Sequence, residues 1–388
     1  MNAKSYFLVI ENYGWVITMV ERFLGRKELE NIVTGATLLG SGGGGSPKGG
    51  LALVESALKA SPQGIRLVGP EDIPDFEMAA MVAGIGSPVA FFQKGFDVEA
   101  IYAFEAIQRI YSMIGQKVTY LVPGEIGGFN SITPMYVAAV KNLPVIDADG
   151  CGRAVPELEN SLFYLYGVPN SPCALADRNG NVVVLYTNDP MDAYTCELIA
   201  RHVTTAFGMI AAFATWTLNG ETLRRALALN TVTKCEKIGK AIRSAISASR
   251  DPVKAATEAA GGYELIRGTI TDLTTRTVAG FDFGTTTIEG IVSYEGKKIK
   301  IDFKNENIIA WKTEGKPLVM APDLICLMTI GGEPLTNADT KKDMKVAVIG
   351  IPAPDKWRKH PKGFAVWKHI LEKMGYMGEY TPLEKLIW

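Results

Sequence analysis

Three apolar runs in the first half of the chain are continuous rather than alternating, and all three stop in the same way. They are "EMAAMVAGIGSP" (77–88), "KVTYLVPGEIGGFN" (117–130) and "LPVIDADGCGRA" (143–154), each closing on glycines and polar residues. Between them lie "FDVEAIYAFEAIQRIYSMIG" (96–115) and "SITPMYVAAVKN" (131–142), whose apolar residues recur at helical spacing. Strands that are apolar throughout must be covered on both faces, and intervening helices supply that cover. The pattern therefore predicts an α/β domain with a mostly parallel, Rossmann-like sheet. Two further helices are expected before it. One spans 26–40, with Leu29, Ile32, Val33, Ala36 and Leu39 on one face, and the other spans 51–60.

Beyond Asn181 the texture changes. "NVVVLY" reads as a strand, and helices are expected within 192–208 and 233–251. From Tyr263 to Pro352 the chain alternates and turns often, with a hairpin expected around Glu295-Gly296. The second half is accordingly expected to be α+β and then β-rich. The turn formers of "GVPNSPCALADRNGN" suggest a boundary near 165–175, giving an α/β domain over 27–170 and a second domain over 171–388. Residues 1–26 read as an extension that adds a strand or helix to the body, since no basic leader or cleavage site accompanies them. No stretch approaches the roughly 20 apolar residues of a membrane span. With 40 Lys+Arg against 41 Asp+Glu, the chain lacks the basic excess of a nucleic-acid binder. The 5 cysteines are scattered and never in a CxxC pair, which argues for a reducing, cytoplasmic setting.

In an open parallel sheet, ligands bind beyond the carboxyl ends of the strands. The clusters Gly84–Pro88, which holds Ser87, Gly124–Asn130, and Asp147–Arg153 all fall there. Asp147 and Asp149 are two residues apart, so a continuing strand would point both to one side. They would then hold a divalent ion such as Zn or Mn, or divide acid from base; otherwise each caps a turn. Glu125 either approaches a ligand from its glycine-rich loop or lies on the surface. Arg153 either clamps a substrate carboxylate or pairs with Asp149. Cys151, between two glycines, is a nucleophile or a small buried apolar residue. Asn305 and Glu306 interrupt an apolar strand pattern in "DFKNENIIAW"; they either reach across to the first domain's site or form a turn. The Thr-rich "GFDFGTTTIEG" resembles the phosphate loop of actin-like enzymes, with a hairpin as the simpler reading. His202, His360 and His369 form no HxxxH or HExxH pair, which excludes a zincin site by spacing. The stretch "GSGGGGSPKGG" (40–50) looks like a flexible linker. However, helical patterns run up to both of its ends, and consecutive glycines before a helix let backbone N–H groups approach an anion.

Taken together, "GATLLGSGGGGSPKGG", "GIGSP", "PGEIGGFNSITP", "LPVIDADGCGRAVPELE", "FKNENIIAW" and "PDLICLM" resemble, in this order, the S-methyl-thiohydantoin desulfurase-like family, long known only as hydantoinase/oxoprolinase-associated. The resemblance spans about Lys27 to Pro354. It implies two domains and hydrolysis at a five-membered cyclic ureide or thiohydantoin ring with release of a thiol. The candidates it carries over are Gly42, Gly43, Gly44 and Gly45, Glu125, Asn130, Asp147, Asp149 and Arg153, to which position adds Ser87. The expected protein is a hydrolase of a small cyclic amide, acting as a homo-oligomer. Its rivals are a non-catalytic partner of a hydantoinase-like protein and an actin-like nucleotide-dependent enzyme.

Overall fold

The computed structural model describes residues 22–86, 94–278 and 280–387. Ser87 and most of the expected N-terminal extension lie outside these residues. Two eight-stranded sheets carry the fold. The first contains β1 (Arg22–Leu24), β2 (Ile65–Val68), β3 (Met78–Gly86), β4 (Val118–Val122) and β5 (Val145–Ile146). After β5, the short β6 (Ala148–Asp149) leaves this sheet; β7 (Cys173–Ala176), β8 (Val182–Leu185) and β9 (Ile210–Asn219) rejoin it. The order is β1-β2-β5-β4-β3-β9-β7-β8. Strands β2, β5, β4 and β3 are mutually parallel. Two antiparallel steps, β3 to β9 and β9 to β7, bring β7 back to the same direction. This is the mixed, mostly parallel α/β sheet that the continuous apolar runs predict. Sheet membership does not break at residue 170, because β7, β8 and β9 all follow that position.

The second sheet is antiparallel throughout. Its strands are β11 (Tyr263–Val278), β12 (Phe281–Gly290), β13 (Lys298–Lys304), β14 (Glu306–Lys312), β15 (Pro317–Met320), β16 (Leu324–Thr329), β17 (Pro334–Leu335) and β18 (Lys345–Ile351). They run in the order β15-β14-β13-β12-β11-β18-β16-β17. The tenth strand, β10 (Ala228–Leu229), pairs only with β6. Gly296, at φ +80°, turns the chain between β12 and β13, where the hairpin is expected. The Thr-rich run 282–287 lies within β12 and is paired to β11 on one side and β13 on the other. Its amide groups therefore belong to sheet ladders rather than to a phosphate loop.

The first sheet is covered on both faces, as its composition requires. On one side β3 residues Ala80 and Val82 share a core with the helices Arg26–Leu39, Pro47–Ala60, Val98–Met113 and Thr133–Lys141, the last two packed on β3 itself. On the other, Ala79, Met81 and Ala83 meet the helices Ala193–Ala206 and Gly220–Ala226. The helix Arg26–Leu39 buries Leu29, Ile32, Val33, Ala36 and Leu39, the stripe read from its spacing. The same core continues into Ile309 of β14, Cys326 of β16 and Ile349 of β18, so one apolar body joins the two sheets.

The helix Thr231–Ser247 crosses Arg26–Leu39 at very short range, and glycine makes this possible. A methyl added to Gly239 would stand 2.0 Å from the Asn31 carbonyl oxygen, and one on Gly35 would stand 1.9 Å from that of Cys235. Alanine is the better helix former by about 1 kcal/mol, but overpacking costs about 1–3 kcal/mol. Gly239→Ala is therefore expected to lower the unfolding free energy in a denaturant titration. An unchanged or higher midpoint would contradict the close crossing.

Candidate active site

The glycine stretch is built into the seam between the sheets. Leaving its helix at Gly40, the chain takes left-handed conformations at Ser41 (φ +51°), Gly42 (+93°), Gly44 (+74°) and Gly45 (+80°). The Ser41 hydroxyl accepts from the Ile325 N–H at 2.9 Å and donates to the Ile325 carbonyl at 3.1 Å. The carbonyls of Ser41 and Gly42 accept from the N–H groups of Asn307 (2.7 Å) and Asn337 (2.8 Å), while that of Gly44 accepts from Phe129 and Asn130. A methyl on Gly43 would lie 1.9 Å from Glu306 Oε1, and one on Gly44 would lie 2.3 Å from Gly127 Cα. A spacer would tolerate side chains at these positions; this loop has no room for them.

Two carboxyls face this loop from opposite lobes. Glu125 follows β4 and is half-buried. Its Oε1 accepts from Asn130 Nδ2 at 2.8 Å and its Oε2 from the Val155 N–H at 2.9 Å. Asn130 is held in turn by the Gly84 N–H, which donates to its Oδ1 at 3.0 Å. Glu306 opens β14, is 4% exposed, and its Oε2 has no hydrogen-bond partner among the described residues. Burial, reinforced by the charge of Glu125, pushes the Glu306 carboxyl up to about 8, against the pull of Arg153. Burial also raises Glu125, although Asn130, the Val155 N–H and Arg153 oppose the shift. A polar interruption in an apolar strand was the one sequence signal for Glu306. The interruption reaches the first lobe's site, while Asn305, at φ +56°, makes the turn.

Arg153 is fully buried and neither pairs with Asp149 nor points outward. Its Nε donates to the Ala154 carbonyl (2.9 Å), Nη1 to those of Pro322 (3.3 Å) and Asp323 (3.0 Å), and Nη2 to that of Asn307 (2.7 Å). The guanidinium carbon lies 5.0 Å from the centroid of the Trp367 ring. Arg153 thus ties the first lobe to β14 and to the chain entering β16.

The two aspartates do different work. Asp147 accepts from the N–H of Thr233 at 3.0 Å and from its hydroxyl, capping the helix Thr231–Ser247. Asp149 Oδ2 accepts from the N–H groups of Cys151 (2.8 Å) and Gly152 (2.7 Å). Its Oδ1 has the Thr231 hydroxyl as its neighbour, which also favours the ionised carboxyl. Burial is the main cause that raises Asp149 to about 7, with Glu125 adding to it and the two N–H donors opposing. Cys151 is buried, its thiol donates to the Gly124 carbonyl at 3.4 Å, and burial pushes it well above the ordinary thiol range, away from a nucleophilic thiolate. The pair does not make a donor set for a divalent ion, since both Asp147 oxygens and one Asp149 oxygen already hold protein donors. No three His, Cys, Asp or Glu side chains come together to hold a metal among the described residues. The site therefore gathers Gly43, Glu125, Asn130, Arg153 and Glu306, with Asp149 behind them and Asp147 apart at its helix.

A second charged group borders Glu306. Glu157 accepts from Lys304 and, at 2.6 Å, hydrogen-bonds His369 Nε2. Burial alone would raise Glu157, but these partners bring it down to about 2. A groove of about 730 Å³ lies elsewhere, at Arg26, Lys27, Lys240 and Arg243. Its Arg26 is ion-paired with Glu55, and it holds none of the desolvated acids. The carboxyl site is the better candidate on that ground.

Two family models match successive parts of the chain. The model of the S-Me-THD-like N-terminal domain matches residues 27–187, and that of the S-Me-THD-like C-terminal domain matches 191–383. The chain belongs to the S-Me-THD-like family. A crystal structure of a protein from Chromobacterium violaceum, determined as a structural-genomics target, is similar over 94% of this chain and 99% of its own, with a TM-score of 0.81 and 26% identity. No curated protein matches the chain. No helix among the described residues is long and apolar enough to cross a membrane.

The raised acids set a pH dependence of stability. A carboxyl whose folded pKa exceeds its unfolded value favours the folded state when protonated, so its contribution is complete below the unfolded value of about 4. That contribution is lost as pH rises toward about 7 for Asp149 and about 8 for Glu306. Glu157 acts in the opposite sense, and its contribution is lost as pH falls from about 4.3 toward about 2. Thermal unfolding is expected at its highest temperature near pH 5, declining by pH 8.5, with Glu306→Gln flattening that decline. An equal slope in wild type and variant would contradict the assignment. Asp147→Ala removes a helix cap and is expected to cost about 1–2 kcal/mol in chemical denaturation.

Proposed function

We propose that the protein hydrolyses a small five-membered S-methyl-thiohydantoin-type ring, releasing methanethiol and leaving the hydantoin. The observation that carries this reading is the Glu125–Glu306 pair, two carboxyls of unequal environment, the first raising the second by its charge and the second packed on Gly43. Two hydrogen-bond donors favour the ionised form of Glu125, whereas Glu306 has an unpartnered oxygen and a raised pKa. Near neutrality this assigns base to the first and acid to the second.

Glu125 takes a proton from water as its oxygen bonds to the ring carbon that bears sulfur, and Glu306 protonates the ring nitrogen as the C=N π pair moves there. The C–S bond then breaks while the new hydroxyl becomes a carbonyl. The hydroxyl proton passes to Glu306, and Glu125 protonates the departing thiolate. One water is consumed, and both carboxyls return to their starting states. Charge that develops on the ring oxygen or nitrogen is stabilised by amide groups of the glycine loop, which leads into the helix Pro47–Ala60. Arg153 contributes its fixed charge behind the acids rather than a substrate clamp.

The test offers the purified protein S-methyl-thiohydantoins and measures released thiol colorimetrically. Glu306→Gln and Glu125→Gln are each expected to lower kcat by about 10²–10⁴ with little change in fold by circular dichroism. The rate is expected to fall as pH rises past about 8, where Glu306 loses its proton. No thiol release from any such ring, or full activity in both variants, would sink the proposal.

A further inference from the structure

Away from the carboxyl site, the Sγ atoms of Cys173 and Cys196 lie 3.6 Å apart. Both are free thiols and both are fully buried. Cys173 starts β7, and Cys196 sits in the first turn of the helix Ala193–Ala206, where the helix dipole favours negative charge. The contact with Cys173, assisted by the Asn170 amide, lowers the pKa of Cys196 against burial and the charges of Glu197 and Asp192. That same contact, together with burial, raises Cys173. The two sulfurs are close enough for one to attack and the other to follow. Cys173 lies one strand from the sheet edge, its register partner on the edge strand β8 being the partly buried Leu185.

The geometry points to Cys173 and Cys196 as a dithiol that hydroperoxides convert to a disulfide joining β7 to the helix Ala193–Ala206. The Cys196 thiolate attacks a peroxide oxygen, the O–O bond breaks, and Cys196 becomes a sulfenic acid as the peroxide is reduced to water or an alcohol. The Cys173 sulfur then attacks Cys196; the S–S bond forms, the S–O bond breaks, and the leaving hydroxide departs as water with the Cys173 proton. Two electrons pass from the thiols to the peroxide. The sulfurs must approach to about 2.0 Å, a shift that side-chain rotation can supply. The bond would also fix the helix turn carrying Glu197, which accepts from the Leu158 N–H at 2.9 Å and from Arg201 at 2.6 Å.

The experiment treats reduced, desalted wild-type protein with a small excess of hydrogen peroxide, alkylates the remaining thiols and maps tryptic peptides without reduction. Peptides 154–178 and 179–201 are expected as one cross-linked species that dithiothreitol separates, with the melting temperature of the oxidised protein raised by about 5 °C. In Cys173→Ser, a dimedone adduct is expected at Cys196, because the resolving thiol is gone. Recovery of both wild-type peptides fully alkylated, or Cys196 as sulfinic acid with no cross-link, would overturn the inference. The wild-type map decides the matter even if the variant does not fold.

Discussion

A guanidinium with no access to water holds the two lobes in register. Arg153, in the loop after β6, places its donors on main-chain carbonyls at Asn307, Pro322 and Asp323, all in the second half of the chain. A buried cation is costly unless its hydrogen bonds and counter-charge are supplied together. The arginine, Glu125 and the Ala154 carbonyl come from the first lobe, and the carbonyls of Asn307, Pro322 and Asp323 with Glu306 from the second. The seam is thus a place where folding of one lobe is completed by the other, and the acids sit there because the arginine needs them.

That arrangement also explains why two glutamates feel unequal pulls on their protons. One buried cation balances one anion, and a second carboxylate nearby meets like-charge repulsion as well as desolvation. The tie is broken locally. At Glu125 an amide and a backbone N–H oppose the upward pull of burial, whereas Glu306, packed against the bare Cα of Gly43, has one oxygen without a donor among the described residues. The glycine loop therefore contributes more than flexibility. It lets a backbone pass where a side chain would displace the acid.

Much of this was legible in the residues. Continuous apolar runs disclosed a doubly covered sheet, and the glycine-rich ends of those runs located one edge of the site, including Glu125 and Asn130. Helical patterns flanking the glycines marked them as part of the body. What stayed hidden depended on pairing across long sequence distance. Nothing local distinguishes Asp147, which caps a helix that begins more than 80 residues later, from Asp149, which holds the turn at Cys151 and Gly152. Arg153 reads as a ligand clamp until its carbonyl partners, more than 150 residues away, are in place. Glu306 showed only as a polar break in a strand, and its partner across the seam is set by tertiary packing alone.

The position of β9 has a bearing on the family's history. The two family models divide the chain between residues 187 and 191, yet β9, from the second segment, runs between β3 and β7 of the first sheet. A break at that junction would withdraw an interior strand and leave two unpaired edges, each lined with open backbone groups. The two sequence domains are therefore not two exchangeable modules. They are inherited as one interlaced unit, in which any recombination that swaps one segment must keep a strand compatible with the other.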